Sequence, residues 1–539
     1  MELLSLDPSS PLPRSSPPTS ANLAEMLKAA IDHHQAGHLT QAEQLYRQIL
    51  QQQPQHVDAL SLLGVVACQQ EKLDHGIALY RQALAIRPDH RQARENLNLA
   101  LCKQGQRLID EAIYNLNLMI NFSSDPVPSH VMLGAIYQEQ GLLDQALHHY
   151  QHALAANPTD ANVLNRVGVV LQSQYKSSLA VHFHQRAIAV QPNHVDALIS
   201  MAKAWLDQGH VQPGLDYVNR ALKLSPEHPI ARYNRALMLL VLGKFQEGFP
   251  EYEWRLKTKE FPPCPFTQPK WDGSDLNGKT LLLHAEQGLG DTIQFIRYAA
   301  IATQRGGRVI LTCHKPLMRL LSSIPGIEQI TPMGKPLPEF HTYVPLLSLP
   351  GILGTTIDTV PAATPYLTVP NIDFHLPPSP IQNPRLKVGL VWSGGNLYKH
   401  NQSRSFALKQ LKPVIDCADV AFYSLQKGIP QLEIADLGWQ TKLVDLSEQL
   451  NDMADTAAAI AQLDLVITVD TSIAHLAGAI HKPVWVLLAH VPDWRWMQHR
   501  SDSPWYPTMR LFRQSEPGNW SSVMQAVVAE LLLFTARGK

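Results

Sequence analysis

The 539-residue sequence predicts an α-helical solenoid followed by an α/β region of two lobes, each built on a parallel sheet. Three observations predict it. Prolines recur on a period of 34: Pro54, Pro88, Pro158, Pro192 and Pro226 stand 34, 70, 34 and 34 residues apart, and 70 is two periods plus a two-residue insertion, placed at Gln106 to Ile109. Small and aromatic residues recur in phase with those prolines, the mark of a repeat array. Past Tyr252 the helical period gives way to strand, glycine turn, helix and strand, the opening of a doubly wound sheet.

Length at about 150 residues per domain calls for three or four domains. Apolar residues at 45% and charged residues at 17% lie in the globular range. Lys plus Arg total 45 against 46 Asp plus Glu, so no global attraction to nucleic acid or an anionic membrane is expected. Cys68, Cys102, Cys264, Cys313 and Cys417 are scattered and form no C-x-x-C, which argues against a disulfide framework or a zinc site and for the reducing cytoplasm. Residues 1–20, MELLSLDPSSPLPRSSPPTS, are Pro/Ser-rich and read as a disordered tail, with an apolar stretch too short for a signal peptide. No run reaches the roughly 18 apolar residues that span a bilayer, so no membrane span is expected.

Residues 21–257 hold about seven units, beginning near Leu23, Val57, Arg91, Val127, Ala161, Val195 and Pro229. Gly64, Gly134 and Gly168 stand at the eighth place, and Gly37, Gly105, Gly141, Gly209 and Gly243 at the fifteenth. Ala42, Ala112, Ala146 and Ala180 take the twentieth place, and Tyr46, Tyr80, Tyr150 and Tyr252 the twenty-fourth. This pattern resembles the tetratricopeptide repeat, two antiparallel helices meeting at small residues, and implies a superhelix whose concave face binds a protein partner. His56, His90, His194 and His228 each follow the periodic proline by two residues, which assigns them to inter-repeat turns rather than to a metal. His148 and His152, one helical turn apart, read as a solvated face.

A Pro/Gly-punctuated connector occupies 258–277. The first lobe, 278–378, opens with the strand LLLHAE, the loop Gln287-Gly288-Leu289-Gly290, a helix expected to start at Asp291, and the strand RVILTC. The second lobe, 379–539, begins after LPPSPIQNP with the strand KVGLVW and the loop Ser393-Gly394-Gly395. The strands AFYSLQ and LDLVITV follow, the latter running into Asp470-Thr471-Ser472, the helix IAHLAGAI and the strand PVWVLL. The third place of G-x-G-x-x-G is Ile293, so a dinucleotide fingerprint fails; G-x-x-x-x-G-K-[ST] and G-x-S-x-G are absent as well. Asp470-Thr471-Ser472, between strand and helix, leaves backbone N–H groups and a positive dipole end to meet phosphate oxygens. His475, four residues past Thr471, leans toward the same end.

EQGLGDTIQFIRYA together with VDTSIAHLAGAIHKPVW resembles the bacterial heptosyltransferase family over roughly 278–539, most of all its tetratricopeptide-linked branch, which NRALMLLVLGKFQEGFPEYEWR and DWRWMQHRSDSPWYPTMRLFRQ also match. The resemblance implies a two-lobed glycosyltransferase of the GT-B type that moves a sugar from a nucleotide-diphosphate sugar to an acceptor hydroxyl, inverting and without a metal. It makes Asp291 the catalytic base and assigns Thr471, Ser472 and His475, with Asp470, to the diphosphate. Ser393 and Gly394, with Lys399 and Arg404 as cations, join that diphosphate site. Ser424, Gln426 and Lys427 are placed toward the nucleoside, and Glu286, Gln287, Gly288 and Gly290 toward the acceptor. No cofactor beyond the sugar nucleotide is implied. Two other readings stand beside it: a repeat scaffold with a degenerate sugar-nucleotide domain, and a protein O-linked N-acetylglucosamine transferase. The latter's asparagine ladder at the sixth place is mostly missing, those places holding Leu62, Asn96, Met132, Arg166, Ser200 and Asn234.

Overall fold

The computed structural model describes residues 20–261, 264–395 and 401–537; the proposed tail lies outside the described residues except for Ser20, which opens the first helix. The chain divides into two compact units, Met1–Pro158 and Thr159–Lys539. The first unit holds α1 (Ser20–Gln35), α2 (Leu39–Gln52), α3 (Val57–Gln69), α4 (Leu73–Ile86), α5 (Arg91–Phe122), α6 (Val127–Glu139) and α7 (Leu143–Ala156). The second begins with three more helix pairs: α8 (Ala161–Ser173) and α9 (Ser177–Val190), α10 (Val195–Leu206) and α11 (Val211–Leu224), α12 (Pro229–Val241) and α13 (Phe245–Tyr252).

Each recurring residue has a steric or hydrogen-bonding cause. A Cβ on Gly64 would stand 2.6 Å from the Tyr80 ring and one on Gly134 2.5 Å from Tyr150, so the eighth place is small because the twenty-fourth is a ring. Gly37, Gly141, Gly209 and Gly243 turn the chain between paired helices at φ between +74° and +80°. The histidines after the prolines are N-caps: Nδ1 of His56, His90, His194 and His228 accepts the N–H of Ala59, Ala93, Ala197 and Ala231, as the Asp160 carboxylate does for Val163. His90 and His194 use Nε2 on Asp58 and Asn162 of the preceding repeat, 3.0 Å away in both cases, which ties successive repeats together.

The fifth unit departs from this scheme at one place, where His184 replaces tyrosine. It is fully buried, burial pushes its pKa down to about 4, and its Nδ1 has no partner. The folded-state value lies below the unfolded one, so the stability tied to the neutral ring is intact above pH ~6.5 and is lost as pH falls through about 4, up to ~3 kcal/mol. His184→Tyr installs the residue of the first, second, fourth and seventh units and leaves its hydroxyl to reach Gln172, as Tyr150 reaches Gln138. The variant should therefore keep its urea midpoint between pH 7 and 4.5 better than the parent; equal acid losses in the two proteins would refute this.

The third unit does not follow the expected layout. A turn at the Gln106 to Ile109 insertion should separate two helices, yet α5 is one helix of 32 residues. Gly105 is absent from the left-handed residues, the insertion contains no proline, and the Gln106 amide donates to Asp110 one helical turn on, so the local chain continues the helix. His148 and His152 are exposed, as expected of a solvated face, and they also have aromatic neighbours. His130 of α6 stacks on His152, and its Nδ1 lies 3.0 Å from that of His149, making a cluster of four imidazoles.

Among the described residues, ten strands form two all-parallel sheets. In the first, β1 (Thr280–His284), β2 (Arg308–Cys313), β3 (Ile327–Pro332) and β4 (Thr342–Pro345) are ordered β3-β2-β1-β4. In the second, β5 (Leu386–Val391), β6 (Val420–Ser424), β7 (Leu443–Asp445), β8 (Leu465–Val469), β9 (Val484–Leu488) and β10 (Met509–Arg513) are ordered β10-β9-β8-β5-β6-β7. The strand order reverses between β1 and β4 and between β5 and β8, and such reversals open ligand crevices at the carboxyl ends of the strands. The last repeats share one apolar core with the sheets: Phe245 and Phe249 pack on Trp505 and Trp494, and Phe295 of the first lobe packs on both tryptophans. The compact unit therefore starts at Thr159, inside the repeats, not at a connector after residue 257.

Candidate functional site

The loop after β1 leads into α14 (Leu289–Phe295), whose cap is Gly288. Asp291 is the third residue of that helix and not its first. Its Oδ2 accepts the Gly288 N–H at 2.8 Å and its Oδ1 accepts Nη2 of Arg495 at 2.5 Å. Arg495, from the second lobe, is buried in a single turn, Trp494–Trp496. Its Nη1 donates to Asp493 at 2.8 Å and its Nε to Gln294 of α14 at 2.9 Å. Burial opposes its charge, but Asp493 and Asp291 more than offset that and hold it firmly protonated. Arg297 makes a second bridge between the lobes through the Trp505 carbonyl at 2.7 Å, and within its own lobe it donates to the Tyr366 hydroxyl at 2.9 Å.

Asp470 directly follows β8 at the reversal point of the second sheet. Burial pushes its pKa up to about 6, neighbouring Asp493 adds to the rise, and Arg404, the Trp496 indole and Arg495 pull against it. Thr471 caps helix Ser472–Ala479, its hydroxyl accepting from Ile473 at 3.3 Å and lying 3.1 Å from Thr468. The first turn of that helix is covered rather than open: a Cβ on Gly290 would come within 2.9 Å of the His475 ring and 3.4 Å of Ser472. His475 is buried, stacks on Trp496 and meets the Tyr506 hydroxyl through Nδ1 at 3.0 Å. Burial, then Arg495, Arg297 and Arg404, keep it neutral, so it is not a cation for a phosphate.

After β5, Ser393 and Gly394 turn beneath Arg404, whose Nη2 would lie 2.6 Å from a Cβ on Gly394. Gly394 donates its N–H to the Ser405 hydroxyl. Arg404 acts on both Asp470 and His475, so it is the cation of this loop that reaches the site. Lys399 lies outside the described residues. The group assigned to the nucleoside is occupied internally: the Gln426 amide binds Trp392 N, Ser393 N, Ser393 O and Lys427 O, Ser424 is fully buried, and Lys427 Nζ donates to the Ser447 carbonyl at 2.6 Å. Gln426 thereby ties the end of β6 to the end of β5, and Lys427 ties it to the segment after β7. Glu286 and Gln287 likewise face the last repeat, Glu286 pairing with Arg255 and Gln287 donating to the Tyr252 hydroxyl at 3.3 Å. A separate surface cavity of about 550 Å³, lined by Pro378, Gln431, Leu432, Thr441 and Asp445 among others, lies at the β7 edge, away from this cluster.

Asp291, Asp470, Arg404 and the covered helix start thus converge where both sheets reverse. Arg495, Asp493, Trp496, Tyr506 and Gln294 complete the cluster and were not singled out from the sequence. Arg495 and Asp493 stand in the DWRW string, where a density of tryptophan and arginine was the available signal. Among the described residues no group of three or more His, Cys, Asp or Glu is arranged to hold a metal ion, and no helix is long and apolar enough to cross a membrane.

Comparison with known proteins identifies tetratricopeptide repeats at residues 27–91, 127–160 and 199–257. The N-terminal part of the chain thus carries tetratricopeptide repeats, and a C-terminal region of parallel α/β sheets follows. It is similar to protein FlbA of Caulobacter vibrioides, 28% identical over 335 residues, which are 55% of this chain and 54% of that protein, so the chain spans about half the length of this curated relative. Similar solved structures include YrrB, described as a TPR protein with an unusual peptide-binding site (13% identity, 40% of this chain and 92% of that one, TM-score 0.21). Another is PilF of Pseudomonas aeruginosa (15% identity, 44% and 91%, TM-score 0.22).

Proposed function

We propose that this chain is a glycosyltransferase of the two-lobed GT-B type, using a nucleotide-diphosphate sugar, with its repeats recruiting a protein acceptor or partner in the cytoplasm. The observation that carries the reading is the ion-paired array Asp291–Arg495–Asp493 beside Asp470 and Arg404 at the reversal points of both sheets. In this reading a diphosphate competes for Arg495, the released Asp291 carboxylate takes the proton of the acceptor hydroxyl, and the hydroxyl oxygen bonds to the anomeric carbon as its bond to the phosphate breaks. Charge gathering on the nucleoside diphosphate is met by Arg404 and Arg495. Tetratricopeptide repeats bind protein partners, which supports the recruiting role.

The test uses the full chain, because the repeats from Thr159 onward share the core of the lobes. A nucleoside diphosphate of the ADP, UDP, GDP or dTDP series should raise its melting temperature. Asp291→Asn should retain that shift while losing sugar transfer, read by mass spectrometry of co-expressed proteins, by about 10²-fold or more. No shift with any of the four, or unchanged transfer by the variant, would favour the scaffold reading.

A further inference from the structure

The segment that supplies Arg495 to the site is held by repeats six and seven. After Asp493, Arg495 and Trp496 the backbone bends through Met497, Gln498 and His499, and Met497 and His499 stand in the left-handed region at φ +54° and +56° although neither is a glycine. Such backbone is costly and persists only where its surroundings hold it. Here it is gripped from two sides. On the side of the second lobe, the Arg513 guanidinium donates to the carbonyls of Trp496 and Arg500, one at each end of the bend. On the side of the repeats, the Gly209 carbonyl accepts Nε2 of Gln498 at 2.9 Å, and a Cβ on Gly243 would come within 2.8 Å of the buried Met497 side chain. Gly209 and Gly243 are the fifteenth-place turns of the two repeats, so the bend rests on bare backbone. Phe249 and Tyr252 of repeat seven also pack on Trp494, the residue before Arg495, with ring centroids 5.8 Å apart in each case.

We propose that Gln498 is a positioning residue through which repeats six and seven set the geometry of the site: its bond to Gly209 keeps the bend closed, the bend keeps Arg495 on α14, and Arg495 keeps Asp291 in place. This rests on the reading of the Asp291–Arg495 pair as part of the site. Slack in Arg495 passes to the loop after β1, because the second oxygen of Asp291 holds the Gly288 N–H. The repeats then act on the site as well as recruiting to it. A partner that altered the spacing of Gly209 and Gly243 would change the hold on Asp291, which stands 204 residues from Arg495 in the chain.

Amide hydrogen exchange of the full chain, followed by mass spectrometry without any nucleotide, tests this link. Gln498→Ala should speed exchange by about ten-fold or more in residues 491–500 and also in residues 286–296, while β6 and α8 exchange as in the parent. His499 is exposed and left-handed, so His499→Gly removes the backbone cost without removing packing. Added to Gln498→Ala, it should return both segments toward the parent's rates, a rescue that a misfolded variant would not show. Unchanged exchange at 286–296 in Gln498→Ala, faster exchange throughout the chain, or no rescue by His499→Gly overturns the proposal. The two readings fail separately. A nucleoside diphosphate that raises the parent's melting temperature, with 286–296 indifferent to Gln498, sinks this link alone; exchange coupled as expected, in a parent that no nucleoside diphosphate stabilises, upholds the link and sinks the site reading.

Discussion

Arg255→Ala is expected to cost the C-terminal unit ~3–5 kcal/mol, a large share of the 5–15 kcal/mol that holds a typical domain folded. Arg255 takes the twenty-seventh place of the seventh repeat, where the other buried occupants are isoleucine or alanine, and it is 0% exposed. All of its guanidinium N–H groups are used. Nε and Nη2 grip the two oxygens of Glu286 at 3.2 and 2.7 Å, Nη2 also reaches Ser348 at 3.1 Å, and Nη1 donates to Glu253 at 2.8 Å and to the Tyr252 carbonyl at 3.1 Å. Burial raises the Glu286 pKa and Arg255 opposes that rise, so removing the cation leaves a carboxyl in the core with no opposite charge.

The pair matters less than its completeness. A double change, Arg255→Met with Glu286→Gln, removes both charges and should recover more than half of the loss, since replacing a buried ion pair by neutral groups costs far less than breaking it. Arg255→Lys should fall between them, because three donors on a flexible stem cannot span the Glu286 fork and the Tyr252 carbonyl together. Urea unfolding of the three variants checks this ordering, and an Arg255→Ala midpoint equal to the parent's would refute it. The pair also joins the last repeat to the loop that carries Asp291, so the same variant should loosen Asp291 through Gly288.

The repeats were legible because each recurring residue answers a local demand: glycine faces a ring one helix away, and the post-proline histidine caps the next helix. The third unit was not, since Gly105 reads as a turn while the residues after it favour a helix, and that local preference carries α5 through. In the α/β region, a glycine loop after one apolar strand located Asp291, and a strand running straight into a helix located Asp470. Their partner Arg495 was invisible because it stands 204 residues from Asp291, beyond any periodicity. Gln426 and His475 show the other limit. Their side chains suit a ligand as well as a core, and only burial and hydrogen bonding turned them inward.

Asp470→Asn should make the protein more stable at pH 7.5, by about 2 kcal/mol. The folded-state pKa of Asp470 is raised from 3.8 to about 6, by burial first and by Asp493 next. For an acid shifted upward, the stabilising contribution is present below pH ~4 and disappears as pH rises through about 6, because the unfolded chain releases its proton first. At pH 7.5 the folded protein holds an ionised carboxylate that its surroundings disfavour, and an asparagine relieves that cost at nearly the same volume. The parent should lose stability between pH 4 and 6 relative to the variant, a difference that urea midpoints at pH 4, 5, 6 and 7.5 would resolve. Keeping a destabilising carboxylate beside Asp493, Arg404 and Arg495 makes sense where the charge meets a ligand, and functional sites commonly trade stability in this way. If Asp470→Asn instead melts below the parent at pH 7.5, the carboxylate is a structural partner of Arg404 and Arg495, and the reading of this cluster as a site loses its main electrostatic support.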